Sequence, residues 1–524
     1  MSASREKKLR QDQTASGYVD PKAEKELEEK KAEKRSNVLY SVIAVLFVLV
    51  VAASFLWRSN VISRNATALT IDGEKYSAAE VNFYYQNVYR GFLQSNSYFI
   101  SYLGLDTNAS LKSQTVNATA ASMMGVEEGS SWHDYIMDNT VKQMTMIQRG
   151  LKQAQEEGYQ FPASVQEQYE DSLNSLKTSA ESTGMSVKAY LQKNLGAIMT
   201  EKVYNQQVLR MLQYQAYAQS YSDSLTYTDA ELEAAYQADP KAYDKAAWEY
   251  VVVSGAADST TDADGNTVEP TDEENAAAKA KAESDAAAVL ARVQGGEALE
   301  DVAKDYESAS YTSTDAGSNN GSDVANWVFD SARKAGDSAV VASDSNCYVV
   351  VFRSVGRQEY ATKDVRHILF KVDESALDSE AETYEADLQA AKDAAKAAAE
   401  DALAQWKAGE ATEDSFAALA NELSVDDGSN TNGGLYTKIY KNQMVTEFND
   451  WCFDASRQSG DTGIVYGESS NYKGYHVIYF VGDDVPYWQV QAENALRNTD
   501  TEAWLDGLLD SADVVQENGM KHVG

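Results

Sequence analysis

Cysteine is scarce in this chain, because Cys347 and Cys452 are the only two among 524 residues. Two distant cysteines cannot build a disulfide framework, and their spacing fits no zinc-ligand pattern. Each stands in an apolar run, so we interpret both as small core residues rather than reactive thiols. The sequence gives no reason to expect a metal or any other cofactor.

Positive charge is also in deficit. Lys and Arg number 45 against 81 Asp and Glu, which gives a formal net charge of −36. Nucleic-acid-binding proteins need basic surfaces that neutralise phosphates, so this balance argues against a nucleic acid partner. An acidic surface favours basic clients or serves solubility alone, and solubility is the simpler interpretation.

One long apolar run interrupts an otherwise polar N-terminal part. Residues 38–57 contain no charged side chain, and as a helix they are ~30 Å long, which matches a hydrocarbon core. Lys34 and Arg35 precede the run closely, so the positive-inside tendency places the N-terminus in the cytoplasm. We predict a flexible cytoplasmic tail over 1–37, a single transmembrane helix over 38–57 and an extracytoplasmic remainder. A cleaved signal peptide is the alternative, although the run is longer than a usual signal h-region.

A mostly helical region follows the apolar run. Asp72-Gly73 predicts a short hairpin, and the pattern from about 78 to 240 favours helices. An amphipathic segment near the C-terminus needs an apolar surface to dock on. We therefore predict a helical domain over 58–240 that is completed by residues 486–524.

The region between these helical parts contains an internal repeat. Residues 326–337 match residues 450–461 at a constant offset of 124 positions, including a shared Trp-x-Phe-Asp. Strand-like runs on either side correspond in the same order: 248–253 with 365–370, and 347–352 with 475–480. Three collinear matches predict two tandem modules, over 241–358 and 359–485.

The two modules differ at one pair of matching positions. The later copy has His367 and His476 there, and the earlier copy has Tyr250 and Tyr348. We therefore expect only the later copy to keep a polar centre. The earlier copy is interpreted as degenerate, either binding extended chains or acting as a spacer.

The later copy resembles the parvulin family of peptidyl-prolyl isomerases over its whole length. The resemblance follows an ordered set of motifs: Arg366-His367-Ile-Leu, Phe416-Ala-Ala-Leu-Ala, Leu423-Ser-Val-Asp-Asp-Gly-Ser, Asn432-Gly-Gly-Leu435, Gln443-Met444-Val-Thr-Glu-Phe448 and Gly474-Tyr475-His476. It implies a small antiparallel sheet covered by helices, and catalysis of rotation about X–Pro bonds.

The resemblance also implies roles for individual residues. The family's polar catalytic positions correspond to His367, Asp426 and His476, and its apolar wall around the substrate proline corresponds to Leu435, Met444 and Phe448. For the histidines, a structural role as a pair linking two strands is an equal alternative. Tyr436 departs from the family, which usually has glycine there.

The residues after the first strand of this module indicate whether phosphorylated substrates are accepted. Members selective for phosphorylated clients carry a basic cluster there, whereas Asp373 and Glu374 follow Lys371 in this chain. These carboxylates would repel a phosphate. We expect phosphoserine-proline peptides to be poor substrates.

The order of anchor, helical region, parvulin-like modules and closing helix resembles the extracytoplasmic foldases of the PrsA and SurA type. The expected fold is α+β: a transmembrane helix, a mostly helical chaperone domain and two tandem parvulin-like domains, the first degenerate. The resemblance implies a foldase at the outer face of a cytoplasmic membrane, acting on unfolded secreted proteins that contain X–Pro bonds. The alternative is a holdase without catalysis that uses both parvulin folds as peptide-binding scaffolds.

Tyrosines are frequent early in the predicted helical domain. They include Tyr84, Tyr85, Tyr89, Tyr98 and Tyr102. Such residues are most often core, and we interpret them so. An exposed surface for unfolded clients is the alternative.

Overall fold

A computed structural model describes residues 3–15, 17, 22, 25, 29–31, 34, 41–51, 54, 59–262, 265–306, 309–343, 346–470 and 472–524. Its fold mixes helices with small antiparallel sheets, which confirms the α+β prediction. The chain divides into two compact units, one comprising Met1–Ser224 with Thr501–Gly524 and the other Leu225–Asp500.

The helices, in chain order, are α1 (Ala3–Ala15), α2 (41–51), α3 (Val61–Asn65), α4 (Ala78–Ser95), α5 (Ala118–Met124), α6 (Trp132–Glu156), α7 (Ala163–Ser182), α8 (Val187–Leu195), α9 (Glu201–Ser224), α10 (Asp229–Ala238), α11 (Pro240–Tyr243), α12 (Asp272–Gln294), α13 (Leu299–Ala303), α14 (Asp323–Val328), α15 (Tyr384–Ala408), α16 (Glu413–Leu423), α17 (Thr446–Cys452) and α18 (Tyr487–Leu509). The strands are β1 (Thr67–Ile71), β2 (Glu74–Ser77), β3 (Lys245–Val253), β4 (Thr260–Thr261), β5 (Thr267–Val268), β6 (Ala309–Gly317), β7 (Ser338–Ser343), β8 (Asn346–Gly356), β9 (Ala361–Lys371), β10 (Leu435–Ile439), β11 (Thr462–Glu468), β12 (Lys473–Pro486) and β13 (Val514–Gln516).

The predicted transmembrane segment, 38–57, lies partly outside the described residues. Those of its residues that are described include the helical stretch 41–51. Among all the helices formed by described residues, none has both the length and the apolar character that crossing a bilayer requires.

The first unit is mostly helical and has a small sheet of order β13-β1-β2. The chain's C-terminal strand therefore pairs with the hairpin expected around Asp72. Arg149 of α6 fastens this arrangement, because its guanidinium makes a two-pronged contact with Asp72 (2.7 and 3.0 Å). The same group donates to the carbonyls of Leu508, Asp510 and Ser511.

The early tyrosines of this unit divide into two groups. Tyr84 and Tyr85 are 1% and 2% exposed and belong to the core, as interpreted, and Tyr89 is half-buried against it. Tyr98 and Tyr102, in contrast, are 94% and 73% exposed. The core interpretation therefore fails for these last two.

The second unit holds the two repeated modules, and their sheets have the same topology. Strand order is β6-β3-β8-β7 in the first module and β10-β9-β12-β11 in the second. Across the β3–β8 pair, Tyr250 lies opposite Val350, and Val350 is two residues after Tyr348. Across the β9–β12 pair, His367 lies opposite Ile478, and Ile478 is likewise two residues after His476. The two ring pairs thus occupy the same register of the same sheet.

Each sheet packs between helices. In the first module α12 and α13 cover one face, and α14 packs against the other. In the second module α15 and α16 cover one face, and α17 packs against the other.

The second unit also includes α10, α11 and the first part of α18, where Trp488 and Ala492 pack on Leu232 and Tyr243. The two compact units are divided at 224 and 500. The domain boundaries expected from the sequence, at 240 and 486, remain predictions.

Candidate active site

The site lies on the face of the second sheet that α17 covers. His367 on β9 and His476 on β12 are each 4% exposed. Their rings stack with centroids 5.3 Å apart and planes at 27°. The two Nδ1 atoms are 3.2 Å apart, which is hydrogen-bonding distance.

Asp426 reaches this pair from the loop after α16. The buried hydroxyl of Ser424 accepts hydrogen bonds from the backbone N–H groups of Leu369 (3.1 Å) and Asp426 (3.3 Å). Val425 N–H donates to the Leu369 carbonyl at 3.1 Å. The loop is therefore tied to β9, and Asp426 Oδ2 lies 3.0 Å from His367 Nε2.

Two consecutive glycines allow the chain to pass close behind His367. Gly433 and Gly434 have φ of +75° and +70°, a conformation that favours glycine. The Gly434 carbonyl accepts a hydrogen bond from His367 N–H at 2.8 Å. A Cβ on Gly434 would lie 2.2 Å from the His367 carbonyl oxygen, so only glycine fits there.

The polar side chains form one continuous hydrogen-bonded chain. The Tyr472 hydroxyl lies 3.0 Å from His476 Nε2, which is hydrogen-bonding distance. His476 Nδ1 is in turn hydrogen-bonded to His367 Nδ1, and His367 Nε2–H donates to the Asp426 carboxylate. Each ring nitrogen of the histidine pair therefore has a hydrogen-bond partner.

Asp426 collects further donors at the end of this chain. The hydroxyls of Tyr436 (3.0 Å) and Ser429 both donate to its Oδ2 atom. The hydrogen bond from His367, aided by the one from Ser429, holds the pKa of Asp426 well below its usual range, against the opposing effect of burial. Asp426 is therefore a carboxylate at neutral pH.

Burial sets the protonation state of the other members. Desolvation, together with the proximity of His367, lowers the pKa of His476 to about 3. Desolvation and the Asp426 charge raise the pKa of Tyr436 to about 12, and the pKa of Tyr472 is raised by the same two causes. At neutral pH both tyrosines thus remain donors and His476 remains uncharged.

A cavity of about 240 Å³ opens onto this network. Its apolar wall is formed by Leu369, Met444, Val445 and Phe448, and its polar side by His367, His476, Asp426, Tyr436 and Tyr472, with Lys371 also contributing. Phe448 is 2% exposed and its ring lies edge-on to both imidazoles. The cavity therefore joins an apolar pocket to a fixed array of dipoles and one negative charge.

Five of the six residues expected from the sequence meet at this cavity: His367, Asp426, His476, Met444 and Phe448. Leu435 does not line it. Leu435 is half-buried and pairs with Arg366 where β10 meets β9.

Two contributors to the polar side are not apparent from the sequence. Tyr436 departs from the family pattern, and its hydroxyl contacts the central carboxylate. Tyr472 stands just before β12 in the sequence, and no spacing pattern distinguishes it from the chain's other tyrosines. In the described part of the chain, no three His, Cys, Asp or Glu side chains group as metal ligands.

Comparison with known families identifies the module. The family model described as rotamase, a PPIC-type PPIase domain, matches residues 367–482. These residues form a peptidyl-prolyl isomerase domain of the parvulin type. The match ends close to the predicted module boundary and includes all the site residues described above. The predicted resemblance of this module to the parvulin family and the module's predicted enzyme class are thereby confirmed.

Solved structures of foldases and chaperones are also similar to this chain. They include PrsA from Bacillus cereus (24% identity, TM-score 0.17, 31% of this chain and 55% of that one) and PrsA from Bacillus subtilis (13% identity, TM-score 0.29, 73% and 87%). A SurA-like chaperone from Campylobacter jejuni is similar at 8% identity and a TM-score of 0.15, over 56% of this chain and 82% of that one. The similarity therefore spans little more than half of the Bacillus cereus chain. No curated protein matches.

Proposed function

We propose that this chain is a membrane-anchored extracytoplasmic foldase that isomerises X–Pro bonds in secreted or cell-surface proteins and binds them while unfolded. The observation that carries the proposal is the cavity in which Asp426, His367 and His476 form one hydrogen-bonded chain beside an apolar wall. A cavity of this kind suits a reaction that moves no proton and breaks no covalent bond.

The reaction to be accelerated is rotation about a partial double bond. Its barrier is about 18–20 kcal/mol, so unaided rotation takes tens of seconds or longer. The twisted amide has lost resonance, and therefore has a less polar carbonyl than the planar amide. Met444 and Phe448 can hold the proline ring in the apolar part of the cavity while water is excluded, and this favours the less polar, twisted state.

The Asp426 carboxylate is the second element of the proposed mechanism. Resonance in a planar amide places partial negative charge on the carbonyl oxygen. A carboxylate fixed beside that oxygen disfavours the planar form relative to the twisted one. The hydrogen bonds from His367, Ser429 and Tyr436 keep this carboxylate ionised and in place. The histidines thus orient the charge and are not proposed as bases.

The proposed chaperone role has support in the first unit. A turn-rich segment there presents Tyr98, Phe99 and Tyr102 at 94%, 53% and 73% exposure, and Met123 is 59% exposed. Exposed aromatic side chains are suited to binding the apolar segments of unfolded chains. The apolar, uncharged run 38–57 is proposed as the anchor, with the N-terminus in the cytoplasm.

The test is protease-coupled isomerisation of an Ala-Pro peptide by the full chain in detergent. We expect Asp426→Ala and Met444→Ala each to lower kcat/KM by at least tenfold. Asp427→Ala is the matched control, because this neighbouring carboxylate is exposed and does not line the cavity. The holdase alternative would be favoured by a different result. In that case the folded parent chain does not accelerate isomerisation but still suppresses aggregation of an unfolded client.

A further inference from the structure

The first module has its own cavity at the place equivalent to the isomerase site. It measures about 330 Å³ and is lined by Trp248 and Tyr250 of β3, Tyr348 of β8, Asn320, Val324 and Ser343, among others. Tyr250 and Tyr348 stand at the register positions of the two active-site histidines. The cavity has therefore persisted in the copy that lacks the imidazoles.

The polar groups of this cavity differ from those of the isomerase. The rings of Tyr250 and Tyr348 are 5.8 Å apart at 56°, close to the 5.3 Å of the histidine pair. Neither hydroxyl has a hydrogen-bond partner among the described residues, whereas each histidine is bonded on both ring nitrogens. Two half-buried tyrosine hydroxyls at a cavity are thus free to donate to a ligand.

The lining has the chemistry of a site for proline-rich chain. Aromatic rings form flat apolar walls against which a proline ring packs, and tyrosine hydroxyls donate to the exposed carbonyls of a polyproline II segment. Such a segment is already extended before it binds, so little conformational entropy is lost. Among the described lining residues there is no imidazole, so the one lining carboxylate, Asp323, is not held by a histidine as Asp426 is in the isomerase site.

We propose that the first module binds proline-containing polyproline II segments of unmodified polypeptide in this cavity, and that it does so without isomerising them. The Tyr250–Tyr348 pair forms the floor for the proline ring. The site does not depend on the second module's activity. It supplies a second, non-catalytic attachment point for a proline-containing chain.

The test locates the bound peptide directly. A peptide of Ala-Pro repeats that carries a benzophenone beside a central proline is photo-crosslinked to the full chain, and the crosslinked segments are identified by mass spectrometry. Crosslinks are expected within 241–358 as well as within 359–485. Crosslinks confined to 359–485 would overturn the proposal, whether or not the chain is an active isomerase.

Variants of the cavity sharpen the test. Ser343→Trp, which fills the cavity, is expected to reduce crosslinking within 241–358 at least tenfold, and Tyr348→Phe, which removes only a hydroxyl, severalfold. Ser310→Trp is the matched control, since Ser310 is exposed on the same sheet and does not line the cavity. Replacing the peptide's prolines by alanine is expected to reduce crosslinking to a similar extent. Equal crosslinking of the alanine peptide, or by a folded Tyr348→Phe chain, would contradict the proposal.

Discussion

Neutral His476 should make the isomerase module sensitive to mild acid. The ring's pKa falls from 6.5 to about 3 on folding, chiefly because burial disfavours the charged form. Between these values the unfolded state binds a proton that the folded state does not. Stability is therefore complete above about pH 6.5 and declines as the pH falls towards 3. The sign is the same as for any base that is buried uncharged.

The expected size of the effect follows from this shift. Lowering the pH from about 7.5 to about 5.5 protonates the unfolded ring and leaves the folded ring neutral. The module should lose about 1.4 kcal/mol, or roughly a tenfold change in its folded-to-unfolded ratio. This interval lies above the range in which most carboxylates titrate, so the many acidic side chains contribute little.

The two cysteines provide separate probes for the two modules. Cys452 is 0% exposed in the isomerase module and Cys347 is 2% exposed in the first module. Labelling in denaturant, with a dipyridyl disulfide that reacts at acidic pH, then reports each module's unfolding. The Cys452 transition should move to lower denaturant at about pH 5.5. The Cys347 transition should not, because the first module contains no histidine.

A variant isolates the contribution of His476. The glutamine of His476→Gln does not titrate, so the Cys452 transition of this variant should lose the pH dependence that His476 causes. If the Cys347 and Cys452 transitions shift together, the two modules unfold as one unit. The difference between parent and variant then still gives the contribution of His476 to the pH dependence of stability. A Cys452 transition that is equally pH-dependent in parent and variant would refute the reasoning.

Four further outcomes are expected. Gly434→Ala should destabilise the isomerase module by about 3 kcal/mol or more in denaturant unfolding, because its Cβ meets a backbone carbonyl at positive φ. Arg149→Ala should lower the unfolding free energy of the first unit by about 2–3 kcal/mol, since a carboxylate and three carbonyls lose a charged donor. Tyr472→Phe should lower kcat/KM severalfold, and imidazole NMR should show His476 in a mixture of tautomers. A phosphoserine-proline peptide should be isomerised more slowly than its serine-proline counterpart in the same assay.

Matched variants separate these effects from general damage. Gly507→Ala places a Cβ in open space within α18 and should be neutral or slightly stabilising. Lys152→Ala removes a 62% exposed cation whose ion pair spans 3.9 Å, and should change stability by less than about 0.5 kcal/mol. A Gly434→Ala chain as stable as Gly507→Ala, or an Arg149→Ala chain as stable as Lys152→Ala, would contradict the packing argument. Faster turnover of the phosphopeptide would show that the neighbouring carboxylates do not repel it.

Much of the isomerase module could be predicted because its local patterns and its overall fold agree. The histidines stand in strand-like apolar runs, and the glycine pair stands where the backbone needs positive φ. Leu435 and Tyr436 show where such reasoning ends. Neighbouring residues of a strand point to opposite faces, so a shift of one position decides which side chain reaches the cavity. Strand β10 has an irregular register against β9, and a single sequence gives no measure of it.

The hydrogen-bonded chain was also beyond sequence reasoning. Tyr472, His476, His367 and Asp426 come from a loop, two strands and a second loop, separated by up to 109 positions for the two histidines. Their contacts depend on how the loops are tied to the sheet, as Ser424 ties the second loop to β9.

The duplication bears on whether the histidines are structural or functional. If the histidine pair served only to join two strands, the sheet should depend on it. The first module has the same strand order and the same register with Tyr250 and Tyr348 in place of the pair, and its sheet is intact. The fold therefore does not require the imidazoles. In the second module they are retained together with Asp426, whose carboxylate they orient, although a buried histidine reduces stability in mild acid. A group that the fold can do without, and that lowers stability where it is kept, is better explained by the chemistry of the cavity than by the architecture of the sheet.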